Sequence, residues 1–375
     1  MNSPQPMVDS STQGLPGSVA LPERKSDAAS QTATGRLSAT AMRNALEPFG
    51  RKRNAYALML LAIDLSLFVV GQFLAITATS GWLQLLGMLV TLAAIVRLFL
   101  IGHDACHQAL TSSRPLNDLA GRIAFLVSLT PYSLWRAGHN IGHHGFNNLR
   151  GRDFVWQPKQ PEEYLALPRW RRAIERVYRG ALGPAMYYLV EIWWKHLYFP
   201  NRRHIPSRRA EFNWDSLLVT VMALAWVGSI FVYTQHHQRA FWPVLLAAFI
   251  VPFLLWNWAV GLIVYLHHTH PDVPWYEDKR DWQQHMAQIS STIHMVMPPP
   301  LGAFLHHIME HPAHHLNSHI PLYNLRAAQR HLRQIGARFT STPFTLSHYW
   351  RCIRTCQLYD YRHQSWRSFR DAAHA

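Results

Sequence analysis

The stretch Trp82–His107 reads WLQLLGMLVTLAAIVRLFLIGHDACH and joins two signals in one segment. Trp82–Ile101 is an apolar run close to the roughly 20 residues that a bilayer demands of a spanning helix. The end of the stretch, His103-Asp-Ala-Cys-His107, sets two imidazoles one helical turn apart. A buried core helix with a polar end accounts for both signals equally well. The choice rests on whether the chain supplies further runs and further histidines in matching places.

It supplies both. Tyr56–Ala78 is a second long apolar run, with Asp64 its only charge, and only Thr79, Ser80 and Gly81 separate it from Trp82. That spacing predicts a tight helical hairpin. Leu217–Thr234 and Phe241–Leu266 are a second pair, both without charges, with Pro252 placed to kink the last. Asp64 is expected to face other helices and Arg97 to snorkel toward the interface. Ile123–Leu134 and Pro184–Pro200 are too short or too interrupted to span and read as interfacial or re-entrant. The expected fold is all-α: a polytopic membrane protein with transmembrane helices at about 56–78, 82–101, 217–234 and 241–266, and a helical cytoplasmic cap.

Charge sets the orientation. The chain has 36 Lys+Arg against 21 Asp+Glu, a formal net charge of +15. Nucleic acid is one reading of that balance. The apolar runs favour the other, a cytoplasmic membrane face, and nucleic acid is not expected as a partner. Arg43, Arg51, Lys52 and Arg53 precede the first run, residues 102–213 hold 16 Lys+Arg against 8 Asp+Glu, and the C-terminal region is basic again. The two short connections hold only Arg239. Both termini are therefore expected in the cytoplasm. Residues 1–40, rich in Ser, Thr, Gln, Pro and Ala, read as a disordered tail without a secretory signal. Residues 41–335 form the membrane domain and 336–375 a cytoplasmic C-terminal tail.

Further histidines fall on the predicted cytoplasmic side. His139-Asn-Ile-Gly-His143-His144 would place His139 and His143 on one helical face, with His144 about 100° away. His311, His314 and His315 form H-x-x-H-H and would share a face. His267, His268 and His270 follow directly on the fourth run. Eight histidines in three clusters are too many for one metal and fit two first-row ions. A ligating imidazole is neutral, and its other nitrogen is commonly held by an acceptor. Asp104, Asp153 and Glu310 are near in sequence, and the last two read as solvated charges or local ion pairs. His307 and His319 fall outside the motifs. Three cysteines, Cys106, Cys352 and Cys356, are too few for a disulfide framework or a thiolate metal site. No H-E-x-x-H occurs, which excludes that class of zinc protease.

The set HDACH, HNIGHH and HPAHH, with HHTHP after the last run, resembles the membrane-bound fatty acid desaturases, and most of all their acyl-lipid Δ12 or omega-6 type. The likeness covers about residues 55–335, and the flanks GFNNLRGRDFVW and HLNSHIPLYNL share it. It implies a non-haem diiron centre of two iron ions on the cytoplasmic face. Its ligands would be His103, His107, His139, His143, His144, His311, His314 and His315. A further ligand would come from the HHTH run, His268 as first choice and His270 as second, with Asp104 in a supporting position. It implies an oxidoreductase that uses O2 to introduce a cis double bond into a fatty acyl lipid or acyl-CoA. Two electrons would come from an external donor, a ferredoxin or a cytochrome b5-like protein. A bacterial inner membrane is the expected location. Tyr132, Trp135, Trp156 and Trp193 are candidates to line the acyl channel or to anchor at the interface. One alternative is a hydroxylase or ketolase of the same histidine-box superfamily, acting on a lipid, alkane or carotenoid. Another is a histidine-rich metal transporter, which should carry histidines inside its spans; these spans carry none.

Overall fold

The computed structural model describes residues 37–200 and 209–374, so most of the expected N-terminal tail lies outside the described residues. Among the described residues four helices are long and apolar enough to cross a membrane: Asn54–Thr77, Gly81–Cys106, Ala210–His236 and Phe241–His268. They contain the expected runs, except that the first helix ends at Thr77, one residue short of Ala78, and they extend beyond them mainly on the side where the histidines lie. The second span, 26 residues, is about 39 Å long at 1.5 Å per residue, against a hydrocarbon core of about 30 Å. Its last turns therefore stand clear of lipid and carry His103.

The first hairpin closes through glycine. A Cβ on Gly87 would sit 2.3 Å from the Ala75 nitrogen, and one on Gly71 would sit 2.6 Å from the Thr91 nitrogen. Small residues let two backbones meet where no hydrophobic force drives helices together in lipid. Gln72 then ties all four spans. Its Nε2 donates to Thr91 Oγ1 at 3.2 Å and to the Ala248 carbonyl at 2.8 Å, and its Oε1 accepts from Trp226 Nε1 at 2.7 Å. The Ala248 carbonyl lies in a π-helical turn, Leu246–Ile250, that interrupts the fourth span just before Pro252. The distortion expected at that proline takes the form of this widened turn.

Arg97 does not snorkel. Its Nε pairs with Asp64 Oδ1 at 2.7 Å and its Nη1 donates to the Phe304 carbonyl at 2.8 Å, while His306 Nε2 meets Asp64 Oδ2 at 3.0 Å. Asp64 is fully buried between helices, as its place in an apolar run requires.

Beyond the spans the chain builds a cap of short helices. Gly183–Tyr187 lies against the fourth span, where a Cβ on Gly261 would be 2.2 Å from the Pro184 carbonyl oxygen. The chain continues as a π-helix over Tyr188–Tyr198. Ile293–Val296 pairs in parallel with Thr340–Pro343, and Leu358–Asp360 pairs antiparallel with Ser365–Arg367. The stretch read as a C-terminal tail is folded onto the cap: Tyr359 donates its N–H to the Lys159 carbonyl, and Trp366 Nε1 donates to the Val273 carbonyl. Cys106, Cys352 and Cys356 are free, buried thiols.

Candidate metal centre

Among the described residues nine histidines converge where the second and fourth spans enter the cap, and they sort into two sets. His103, His107, His139, His144 and His314 form one; His143, His268, His311 and His315 form the other. Within each set the ring nitrogens offered lie within 4.8 Å of one another.

The sorting departs from the helical-wheel expectation. His139–His143 falls at a π-helical stretch, Gly138–His143, not at an α-helix. An i→i+5 turn brings residues five apart to one side. His139 therefore joins His144, and His143 turns to the other set. The H-x-x-H-H histidines do not share a site either. His311 and His315, four apart on the helix His311–Leu316, enter one set and His314 the other. His103 and His107 stay together as expected, as do His311 and His315.

The four-histidine set is oriented from outside. His143 Nδ1 lies 3.1 Å and 3.2 Å from the two oxygens of Asp153, His268 Nδ1 lies 3.0 Å from the Ser291 carbonyl, and His315 Nδ1 lies 3.2 Å from Gln288 Oε1. Gln288 donates its own amide to the His144 carbonyl, which fixes Oε1 as the acceptor. A carboxylate or carbonyl only accepts, so each of these rings carries its proton on Nδ1 and a lone pair on Nε2. Yet His143 Nε2 is 3.1 Å from His268 Nε2, which is 2.9 Å from His311 Nε2. A proton can bridge one such pair; four nitrogens converging this closely call for a multivalent cation. Two nitrogens bound at right angles to one ion at about 2.1 Å are about 3.0 Å apart. The donor set and its spacing fit a first-row transition ion.

The five-histidine set is oriented from within. His139 Nε2 lies 3.1 Å from His103 Nε2, and His144 Nε2 lies 3.1 Å from His314 Nε2. Trp135 stacks on His139 at 4.0 Å between ring centroids, and His144 stacks on His315 of the other set at 4.1 Å. His107 Nε2 is buried without a partner, as is His315 Nε2 of the other set. Such orphaned buried nitrogens are costly unless an ion satisfies the site. Burial, then the neighbouring imidazoles, push His107, His139, His144 and His314 well below the ordinary histidine range. The same causes act on His311 and His315. All six rings are held in the neutral form that binds metal.

Several expected supporting residues stand elsewhere. His270 leaves the site: after Thr269 ends the helix, its ring packs 5.2 Å from His348 and its Nδ1 lies 3.6 Å from Asp272. Asp104 is buried, but its carboxylate accepts the Leu322 backbone N–H at 3.1 Å and so anchors the helix Leu322–Gln334. Asp153 is no solvated charge. It is 1% exposed, receives the backbone N–H groups of Asn148 and Val155, and holds His143. Glu310 does have a local partner, His294 Nε2 at 2.7 Å. His267 faces Met309 Sδ at 3.2 Å and stacks on His311 at 3.6 Å, a buttress for that ring.

An apolar pocket runs up to both sets. Phe99, Trp135, Ile192, Val260 and Ile308 line its walls, His103 and His139 border it from one set, and His143, His268 and His311 from the other. Of the four aromatic candidates only Trp135 lines it. The family model described as fatty acid desaturase matches residues 80–347, a span that holds all nine histidines. The chain belongs to the fatty acid desaturase family. It is 29% identical to a chloroplastic omega-6 fatty acid desaturase of Brassica napus, over 80% of this chain and 65% of that one. It is also 29% identical to an sn-1 oleoyl-lipid 12-desaturase of Picosynechococcus, over 79% of this chain and 82% of the relative. With an sn-1 acyl-lipid omega-3 desaturase (ferredoxin) of Nostoc it shares 31% identity, over 64% of this chain and 65% of the relative. The match thus spans about two thirds of the chloroplastic and omega-3 relatives.

Proposed function

We propose that this chain is an acyl-lipid desaturase that holds two iron ions in its two histidine sets. It introduces a cis double bond into the acyl chain of a membrane lipid, with O2 and two electrons from an external carrier of the ferredoxin or cytochrome b5 kind. The observation that carries this reading is the apolar pocket bordered by both sets at once, because a substrate methylene seated there is presented to both metal positions. Membership of the family and the relatives' acyl-lipid names support the substrate class. Bound iron would supply the O2-dependent removal of hydrogen from an unactivated methylene.

The residues of the chain account for the rest. Phe99, Ile192, Val260 and Ile308 bind the chain and exclude water. Asp153, the Ser291 carbonyl and Gln288 hold His143, His268 and His315 in the Nδ1–H form, so that each Nε2 faces the ion. Placing the cap in the cytoplasm, with both termini there, follows the excess of Lys and Arg on that side. A bacterial inner membrane is the setting this implies.

Expression in a host of defined lipid composition, followed by fatty acid methyl ester analysis, tests the reading. A new cis double bond that disappears in His143→Ala is the expected result. A hydroxylated or keto product with no new double bond would overturn it.

A further inference from the structure

Residues 289–309, ISSTIHMVMPPPLGAFLHHIM, hold no Asp, Glu, Lys or Arg. The middle of this stretch is on the surface: Val296 is 41% and Leu301 36% exposed, and Pro298, Pro299 and Pro300 are exposed beside them. An exposed apolar segment in an otherwise basic cap needs a reason. Arg97 and Asp64 supply one, since they pin the Phe304 carbonyl and His306 to the first two spans. Arg97 lies sixteen residues along its helix from Gly81, about 24 Å at 1.5 Å per residue. Against a hydrocarbon thickness of about 30 Å, this places the pinned segment at the inner edge of the hydrocarbon. The segment is a lip that dips into the leaflet.

A groove runs between this lip and the helix Leu322–Gln334. Pro299, Gly302 and His307 form one wall, and Arg326, Arg330 and Arg333 the other. Among the described residues neither Arg326 nor Arg330 has a carboxylate partner, because Glu310, which also lines the groove, is paired with His294. Arg333 Nη2 lies 3.2 Å from His294 Nδ1 and 3.4 Å from Ser341 Oγ. Gln329, between the arginines, is 2% exposed; its Oε1 accepts from the Ala313 N–H and its Nε2 is buried with no partner. An unused buried amide donor beside three guanidinium groups is a set of donors awaiting an anion.

We propose that this groove seats the phosphate of an anionic phospholipid of the surrounding leaflet, with the lipid's acyl chains lying over the Pro298–Leu301 lip. Guanidinium forks match phosphate oxygens, and basic residues at this depth are attracted to an anionic leaflet. An acidic carrier protein also complements arginine, but it would approach from water and leave the apolar lip uncovered. The groove is separate from the acyl pocket: Ile308 lines the pocket and Met309 lines the groove, so the chain itself forms the partition. The lipid held here is a bound neighbour of the site rather than the chain being desaturated.

The test is lipid retention, read by native mass spectrometry on full-length protein in neutral detergent titrated with phosphatidylglycerol or phosphatidylcholine. Phosphatidylglycerol should be retained preferentially. The triple variant Arg326→Gln/Arg330→Gln/Arg333→Gln should bind it about tenfold more weakly or worse, and Arg330→Gln alone should lose part of that. Arg362→Gln/Arg370→Gln, outside the groove, should bind as wild type. Equal retention of the two lipids, or an unchanged triple variant, would overturn the proposal. So would displacement by inorganic phosphate at lipid-equivalent concentration, which would make this a free-phosphate site. Loss of ferredoxin binding in the triple variant with phosphatidylglycerol retention intact would assign the groove to the carrier instead. If the triple variant does not fold, Gln329→Leu and Arg330→Gln carry the same comparison. No arm uses desaturation, so failure here is distinct from failure of the enzymatic reading.

Discussion

The two histidine sets solve one problem in different ways. In the set of His143, His268, His311 and His315, three rings are aimed by acceptors outside the cluster: a carboxylate, a backbone carbonyl and a side-chain amide. In the set of His103, His107, His139, His144 and His314, orientation comes from stacking and from the rings themselves, with Trp135 as the main wall. Hydrogen bonds fix a tautomer, whereas packing fixes only a plane. The four-histidine site is therefore electronically specified with fewer candidate ligands, and the five-histidine site would hold an ion by number and burial. The first should fail when one distant acceptor is changed, the second when the packing loosens.

The largest effect should come from the ligands. His143→Ala and His314→Ala remove one nitrogen from each set, and each should reduce desaturation below detection while the protein still inserts in the membrane. Wild-type product from either variant would refute its assignment. Next is Asp153→Asn, which keeps shape but removes the charge behind His143. It should weaken iron binding in the four-histidine set by about 10- to 100-fold, seen as loss of up to one of two irons on dialysis against a chelator. Full retention of both irons would mean that Asp153 does not tune the site.

Acid should act on both sets. His107, His139, His144 and His314 of that set, and His311 and His315 of the other, are pushed below the ordinary value of 6.5. In metal-free protein the unfolded chain takes up protons as pH falls through 6.5 while the buried rings do not, so the folded state is favoured in full above that value and loses ground below it. The thermal midpoint of iron-free protein should be level above pH 6.5 and fall below it, less steeply in His144→Gln. A flat profile through that region would contradict the burial-driven neutrality of these rings. The smallest effect is expected from Trp135→Leu, which removes the wall behind His139. Turnover should drop several-fold while Asp153-dependent iron retention stays as in wild type. Loss of iron from the four-histidine set in this variant would erase the distinction between the two.

Much of this was legible in the sequence because it is written in local spacing. Apolar runs set the four spans, and all eight box histidines reach the centre. What spacing does not encode is the backbone form between histidines. HNIGHH read as an α-helix pairs His139 with His143, while the π-helical turn pairs His139 with His144. Nor does spacing encode the acceptors. Gln288 and Ser291 lie outside every histidine motif, 27 and 23 residues from the His315 and His268 rings they hold, and Asp153 reads as a surface charge until its loop folds back over His143. The resemblance put His268 ahead of His270 without excluding either; the end of the helix at His268 separates them. Asp104 illustrates the reverse error, a carboxylate inside a histidine box that anchors a helix start instead of a ring. The uncharged stretch 289–309 was masked by the basic average of the C-terminal region.

The claim of two separately built metal positions is tested most directly by locating iron in the loaded enzyme, through anomalous scattering at the iron edge. Two peaks are predicted, one among the nitrogens of His143, His268, His311 and His315 and one among those of His103, His107, His139, His144 and His314. A single peak, or a peak bound by His270 and not by His268, would contradict it.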